Sequence, residues 1–235
     1  MTSSFTILLY GFLIGLKHAT DVDHLAAVST IVAEKKELLS SIVIGGFWGL
    51  GHTISLAVAG VFVLFLNFEI SENLEKILEF CVGVMLVLLG LNVLRKLLKG
   101  ITVHIHQHSH GEHKHTHFHF HESQEQADSK SHHGLKLTPQ ALMVGMIHGL
   151  AGSAGLMLIV IPTIKSKMVG LLYILIFGIG SIGGMILMSL LLSLPFALTA
   201  KHFAQINRLL QALAAGFSIL LGFYIMHETG FGSNT

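Results

Sequence analysis

His18-Ala-Thr-Asp21-Val-Asp23-His24 lies inside an apolar stretch that runs from Phe5 to Ala33. Carboxylates and imidazoles at bilayer depth cost about 2.5–3.5 kcal/mol each on insertion scales when nothing compensates them. The compensation must come from a bound cation, from a mutual hydrogen-bonded network, or from a water-filled path through a helical bundle. Each of these points to transport.

The surrounding composition fixes the class. Apolar residues make up 52% of the 235 residues and charged residues 11%, against about 25% charged in a soluble domain. Six segments are long enough to cross a hydrocarbon core of about 30 Å: Phe5 to Ala33, Ser40 to Leu66, Ile77 to Leu98, Pro139 to Ile164, Val169 to Leu198 and Ala204 to His227. Only helices and closed barrels satisfy backbone polar groups in lipid, and runs this long and continuous read as helices. The expected fold class is therefore all-α, a polytopic membrane protein with six transmembrane helices. The first segment lacks a basic leader region and contains the ionisable cluster, so no cleavable signal peptide is expected. The one cysteine, Cys81, excludes an intrachain disulfide.

Orientation follows from lysine and arginine, which stay on the cytoplasmic side. Loops after the first, third and fifth segments carry Lys35, Lys36, Arg95, Lys96, Lys99, Lys114, Lys130, Lys136, Lys201 and Arg208. The opposite side has Lys76, Lys165 and Lys167 together with Glu69, Glu72, Glu75 and Glu79. The expectation is a bacterial cytoplasmic membrane protein with both termini outside.

The halves resemble each other. Gly15-Leu-Lys-His18 recurs as Gly145-Met-Ile-His148, Gly45 and Gly51 can be laid on Gly178 and Gly184, and Gly83 with Gly90 on Gly216 with Gly222. Three crossings per half would bring the second half in from the opposite side, the inverted-repeat plan in which a substrate site forms near the midplane. Residues 1–99 and 138–235 are the two expected three-helix repeats, joined by a His-rich cytoplasmic loop, 100–137.

Eleven of the seventeen histidines fall between Gly100 and Gly134. They are His104, His106, His108, His110, His113, His115, His117, His119, His121, His132 and His133. Such a tract reads as metal binding by a flexible chain, and neutral imidazole suits zinc, copper, nickel and cobalt alike. It is expected to be a cytoplasmic metal buffer distinct from the permeation site.

On an intact helix, at about 100° per residue, His18, Asp21 and His24 share one face and Asp23 lies outside that arc. An unbroken helix thus makes those three the ligands and leaves Asp23 to orient a histidine ring. Unwinding at the motif would let Asp23 join them. His52, flanked by glycines that permit close helix approach, and His148 extend the polar set. A buried network that only ties helices together is the plain alternative.

Two motifs resemble a known family. Lys17-His18-Ala-Thr-Asp21-Val-Asp23-His24-Leu-Ala-Ala-Val is similar to the His-x4-Asp-His signature of the nickel/cobalt transporter family (the NiCoT/NicO superfamily), and Gly46-Phe-Trp-Gly-Leu-Gly51-His52-Thr53 resembles that family's following-helix signature. The resemblance implies Ni2+ or Co2+ as the transported substrate and assigns His18, Asp23, His24 and His52 to the metal path. In the second half, His148-Gly-Leu-Ala-Gly-Ser-Ala-Gly stands where the family carries other motifs. Six crossings and a long histidine loop also resemble the efflux branch of the superfamily.

The function expected from these readings is secondary transport of nickel, with cobalt as competitor, in the uptake direction. Efflux by the same fold and a membrane-anchored metal donor are the alternatives. Expected partners are the divalent ion, the bilayer and a cytosolic metal chaperone, with no nucleic acid and no prosthetic group. No Gly-x4-Gly-Lys-Ser/Thr loop for ATP and no His-Glu-x-x-His zinc-hydrolase pattern occurs, so the chain is not expected to be an enzyme.

Overall fold

The computed structural model describes residues 4–33, 37–66, 71–99, 104–110, 113–119, 139–151 and 166–231. Helices α1 (Ser4–His18) and α2 (Val22–Val32) are followed by α3 (Leu38–Leu66) and α4 (Glu72–Lys99). After strands β1 (His104–His110) and β2 (His113–His119) come α5 (Pro139–Ala151), α6 (Lys167–His202) and α7 (Ala204–Phe231). The chain is an all-α polytopic membrane protein with a small β-hairpin.

Among the described residues, four helices, α3, α4, α6 and α7, are long and apolar enough to cross a membrane. The pair α1 and α2, bent by 54° at a short break, makes a fifth if it is one span. Six crossings are expected from hydropathy, and the difference falls on the fourth segment. Its 13-residue helix α5 rises about 20 Å at 1.5 Å per residue, less than the hydrocarbon core. The continuation from 152 to 164 lies outside the described residues.

The first segment breaks because the polar motif competes with the helix ladder. Thr20 N donates to Lys17 O at 2.8 Å and Asp21 N to His18 O at 3.1 Å, both three residues back, so α1 closes in a tight turn. The Thr20 hydroxyl also donates to Lys17 O, 2.6 Å away. Asp21 is extended (φ −63°, ψ 147°) and α2 starts after it. Of the two alternatives open at the motif, an unbroken and an unwound helix, the structure has the break.

The helices pack chiefly as α3 on α6, α4 on α7, α3 on α5 and α1 on α6. The short α2 is wedged among α4, α6 and α7, and Ala26, Ala27, Val28 and Val32 are buried on it. Lipid is as apolar as leucine, so close packing and interhelical hydrogen bonds must hold such a bundle together. Ser218 donates to Leu86 O at 2.8 Å between α7 and α4, and Thr53 to Gly178 O at 3.2 Å between α3 and α6. Pro195 inside α6 removes a donor. Near it, Thr199 Oγ1 donates to Pro195 O at 2.6 Å and Asn207 Nδ2 to Phe196 O at 2.9 Å. Large side chains such as Phe62, Leu88, Ile179 and Leu220 remain exposed and face outward toward lipid.

The hairpin departs from the expectation of a flexible tract. Alternation of histidine with Ile, Thr and Phe is also a strand pattern of period two. The strands pair antiparallel with His104 opposite His119, His106 opposite His117, His108 opposite His115 and His110 opposite His113. His121, His132 and His133 lie outside the described residues.

The α3–α5 contact depends on small residues. A Cβ at Gly145 would collide with the Trp48 carbonyl, whereas one at Gly183 would meet nothing within 4 Å. Gly145→Ala is expected to destabilise the detergent-solubilised protein by about 1–3 kcal/mol, the usual cost of overpacking, while Gly183→Ala leaves stability within about 0.5 kcal/mol. Unfolding midpoints of the two variants measure this, and equal midpoints would refute the close α3–α5 approach.

Candidate metal centre

Four of the six histidines outside the loop tract, His18, His24, His52 and His148, converge from α1, α2, α3 and α5, and none is more than 2% exposed. The ring centroids of His18 and His24 are 4.5 Å apart, those of His18 and His52 5.1 Å, and those of His24 and His52 5.4 Å. His148 stacks on His24 at 4.3 Å. Gly149 on α5 is what lets this happen on the α5 side, since a Cβ there would lie 2.9 Å from the His52 Cα.

The break in the first span positions the carboxylates. Asp23, in the first turn of α2, takes the backbone N–H of His24 on Oδ1 at 2.9 Å. The His24 ring Nδ1 is 3.0 Å from the same oxygen, and His148 Nε2 is 3.1 Å from Oδ2. An ionised carboxylate can only accept, so both of those ring nitrogens carry their protons. Each neutral ring then presents its other nitrogen as a lone pair. Those nitrogens, His24 Nε2 and His148 Nδ1, are buried without a hydrogen-bond partner, as are His18 Nε2 and both ring nitrogens of His52. Buried polar groups almost always find partners. A cluster of unpartnered imidazole nitrogens in one place is what a cation would satisfy.

Asp21 turns to the other side of the break. Its Oδ2 is 2.7 Å from His18 Nδ1, with the Asp21 side chain 44% exposed. It thus orients His18 and lies outside both groups of side chains close enough to share an ion. Those groups are His18 with His24 and His52, and Asp23 with His24 and His148; within each, the donor atoms lie within 4.8 Å of one another. The expected face of His18, Asp21 and His24 is replaced because the helix does not continue through the motif. Asp23, not Asp21, joins the buried set.

Sequence reasoning missed the walls of the centre. Trp48 is fully buried, with its ring 5.3 Å from that of His24 and 5.8 Å from that of His148. Phe177 stands 5.8 Å from His18. Trp48 does sit one helical turn before His52, a spacing that puts both on one face of α3. Nothing in the sequence assigns Phe177. The loop histidines from His104 to His119 have the backbone register given above.

The donor set is four imidazoles and one carboxylate. Nitrogen donors suit zinc, copper, nickel and cobalt, while magnesium and calcium prefer oxygen. Comparison with known proteins agrees with a metal-handling membrane protein. Residues 27–224 match the family described as the cytochrome c biogenesis protein transmembrane region. The chain is also 36% identical over 225 residues to the urease accessory protein UreH of Bacillus sp. (strain TB-90), covering 96% of this chain and 92% of that protein. No solved structure matches the chain. That relative is named for an accessory role, in keeping with a chain that is not an enzyme. The similarity and the His/Asp cluster together point to the broader clan related to nickel/cobalt permeases. By these matches, the chain belongs to the family of the cytochrome c biogenesis protein transmembrane region and is a relative of the urease accessory protein UreH.

Proposed function

We propose that this chain is a membrane-embedded accessory protein that binds a divalent cation, nickel ahead of cobalt, and passes it across the membrane to supply a cytosolic metalloenzyme. The observation that carries the reading is the set of unpartnered, fully buried imidazole nitrogens at the break of the first span. A structural network would have closed those nitrogens on partners. His18, His24, His52 and His148 hold the ion, Asp23 fixes the tautomers of two of them and offsets the ion's charge, and Asp21 orients His18. The name of the UreH relative supports the accessory role, and the nitrogen-rich donors together with the His-x4-Asp-His motif support nickel or cobalt.

In this reading the termini lie outside and the histidine tract in the cytosol, on the lysine and arginine distribution. Residues 1–99 and 138–235 act as two repeats about the loop at 100–137. Support comes from the packing pairs, because exchanging α1 with α5, α3 with α6 and α4 with α7 maps the four main contacts onto themselves. The loop is the cytosolic acceptor: four pairs of directly opposed histidines in the hairpin register give the short cross-strand spacing a chelated ion needs.

An autonomous nickel/cobalt transporter is the second reading. Its supporting observation is the depth of the centre, which suits permeation as well as storage. Uptake is favoured by the inward-negative potential, about 2.3 kcal/mol per charge per 100 mV.

The central test is binding of Ni2+ to purified protein. His24→Ala, His52→Ala and His18→Ala are each expected to weaken binding at the membrane centre at least tenfold, and Asp23→Asn by about 10- to 100-fold, as for other groups that orient ligating histidines. Isothermal titration on a background with the loop histidines replaced measures this. Near-normal affinity in any two of the four variants would sink the assignment.

Protonation gives a second check. A protonated imidazole has no lone pair, so affinity is fully present while the rings are neutral and is lost once pH falls far enough to charge them. Binding should release protons only in that acid range. An affinity that does not weaken with acid at any pH where the protein stays folded would exclude imidazole ligands.

The loop separates the two readings. Replacing residues 100–134 by Gly/Ser of equal length is expected to leave the membrane centre binding Ni2+, and to cut loading of the dependent metalloenzyme severalfold. Unimpaired loading with unimpaired radioactive nickel flux in proteoliposomes would favour the autonomous transporter.

A further inference from the structure

Resting on the reading that the centre holds a cation, we propose that it offers two successive positions joined through the His24 ring. The outer position is formed by Asp23, His24 and His148, and the inner one by His18, His24 and His52. The two groups overlap at His24 alone. That ring faces Asp23 with Nδ1, at 3.0 Å, and has no protein partner on Nε2. One imidazole therefore offers a different nitrogen to each side.

A cavity sets the order. A space of about 260 Å3 is lined by Asp23, Glu79, Ala151, Tyr224, Glu228 and Thr229, among other residues. Asp23 is the one member of either group on its wall. Glu79 lies in the early turns of α4 and Glu228 in the last turn of α7, so the cavity leads inward from the end of the bundle where α4 begins and α7 finishes. On the lysine and arginine distribution this is the face turned away from the cytosol. A cation drawn in by the two glutamates reaches Asp23 first. It then takes the place of the two ring protons that face Asp23, and each ring carries its proton on the opposite nitrogen instead, His24 on Nε2 and His148 on Nδ1.

The inner position differs in chemistry as well as depth. It has three nitrogens and no carboxylate, and its rings are buried. An ion there binds His24 through Nε2 and leaves the ring proton on Nδ1, where Asp23 accepts it again. An ion on Nδ1 leaves that proton on Nε2. The two positions are therefore filled one at a time. Each hand-over inward returns two ring protons, those of His24 and His148, to the nitrogens that face Asp23, and the proton count of the centre is the same before and after. Asp23 thereby closes behind the ion, remaking its bonds to His24 and His148 as the ion moves inward.

Cobalt is the probe, because its visible absorption distinguishes nitrogen from oxygen ligands. Co2+ is mixed with the purified full-length protein carrying loop-histidine replacements, and the absorption is followed by stopped flow. His148→Ala is expected to slow arrival while Co2+ still collects at the nitrogen-only position. His52→Ala is expected to lower the equilibrium amount bound at least tenfold and to leave an oxygen-containing spectrum. Glu228→Lys, at an exposed position, should slow arrival about three- to tenfold at low salt, with the difference shrinking toward about 0.5 M salt, where screening is strong. Equal arrival rates in wild type, His148→Ala and Glu228→Lys, or one identical spectrum in His52→Ala and His148→Ala, would overturn the two-position order. A wild-type spectrum unaffected by His24→Ala would instead remove the metal centre itself.

Discussion

The structure depends on one half-buried carboxylate. Asp23 takes three N–H groups, from the His24 backbone, the His24 ring and the His148 ring. Hydrogen bonds to a charged acceptor contribute about 1.5–3 kcal/mol each, enough in sum to offset a carboxylate at bilayer depth. For Asp23 to reach both rings the first span must break before it, and α5 must come close enough to bring His148. The turn at residues 18–21 and the glycines of α5 meet those two demands.

Satisfying Asp23 leaves the histidines unsatisfied. Each ring that donates its N–H to the carboxylate turns a bare nitrogen toward the interior, and neither ring nitrogen of His52 has a partner. Such a centre is costly for a fold that only needed to hold helices together, where an apolar replacement would pack as well. It is economical for a site that must take up an ion of moderate softness and release it again. Trp48 and Phe177 close its sides, keeping water from occupying the nitrogens on all sides. Nitrogen ligation also separates the centre from magnesium and calcium, which would find one carboxylate and no further oxygen donors among the two groups.

In the proposed donor reading, the histidine tract is the cytosolic holding point that a donor needs besides a crossing. The hairpin register sets eight histidines opposite one another in four pairs along β1 and β2. Helix packing orders the membrane centre, and strand pairing orders the backbone of the tract.

The sequence alone determined the membrane class, because continuous apolar runs of this length have few alternatives in water. It also singled out the residues of the candidate centre, since His18, Asp21, Asp23, His24, His52 and His148 stand out as ionisable groups where lipid tolerates few. Its alternation of histidines carried the hairpin pattern too, though period two in a polar tract does not by itself distinguish a strand from a flexible chain. Tertiary structure decided the rest. Whether Asp21 or Asp23 faces the histidines depends on where the helix ladder fails, and that is settled by the competition between Thr20, Asp21 and the backbone at a single turn. Phe177 and the acidic cavity between α4 and α7 come from residues more than fifty positions away from the motif. Such proximity follows from helix packing, which local periodicity does not encode.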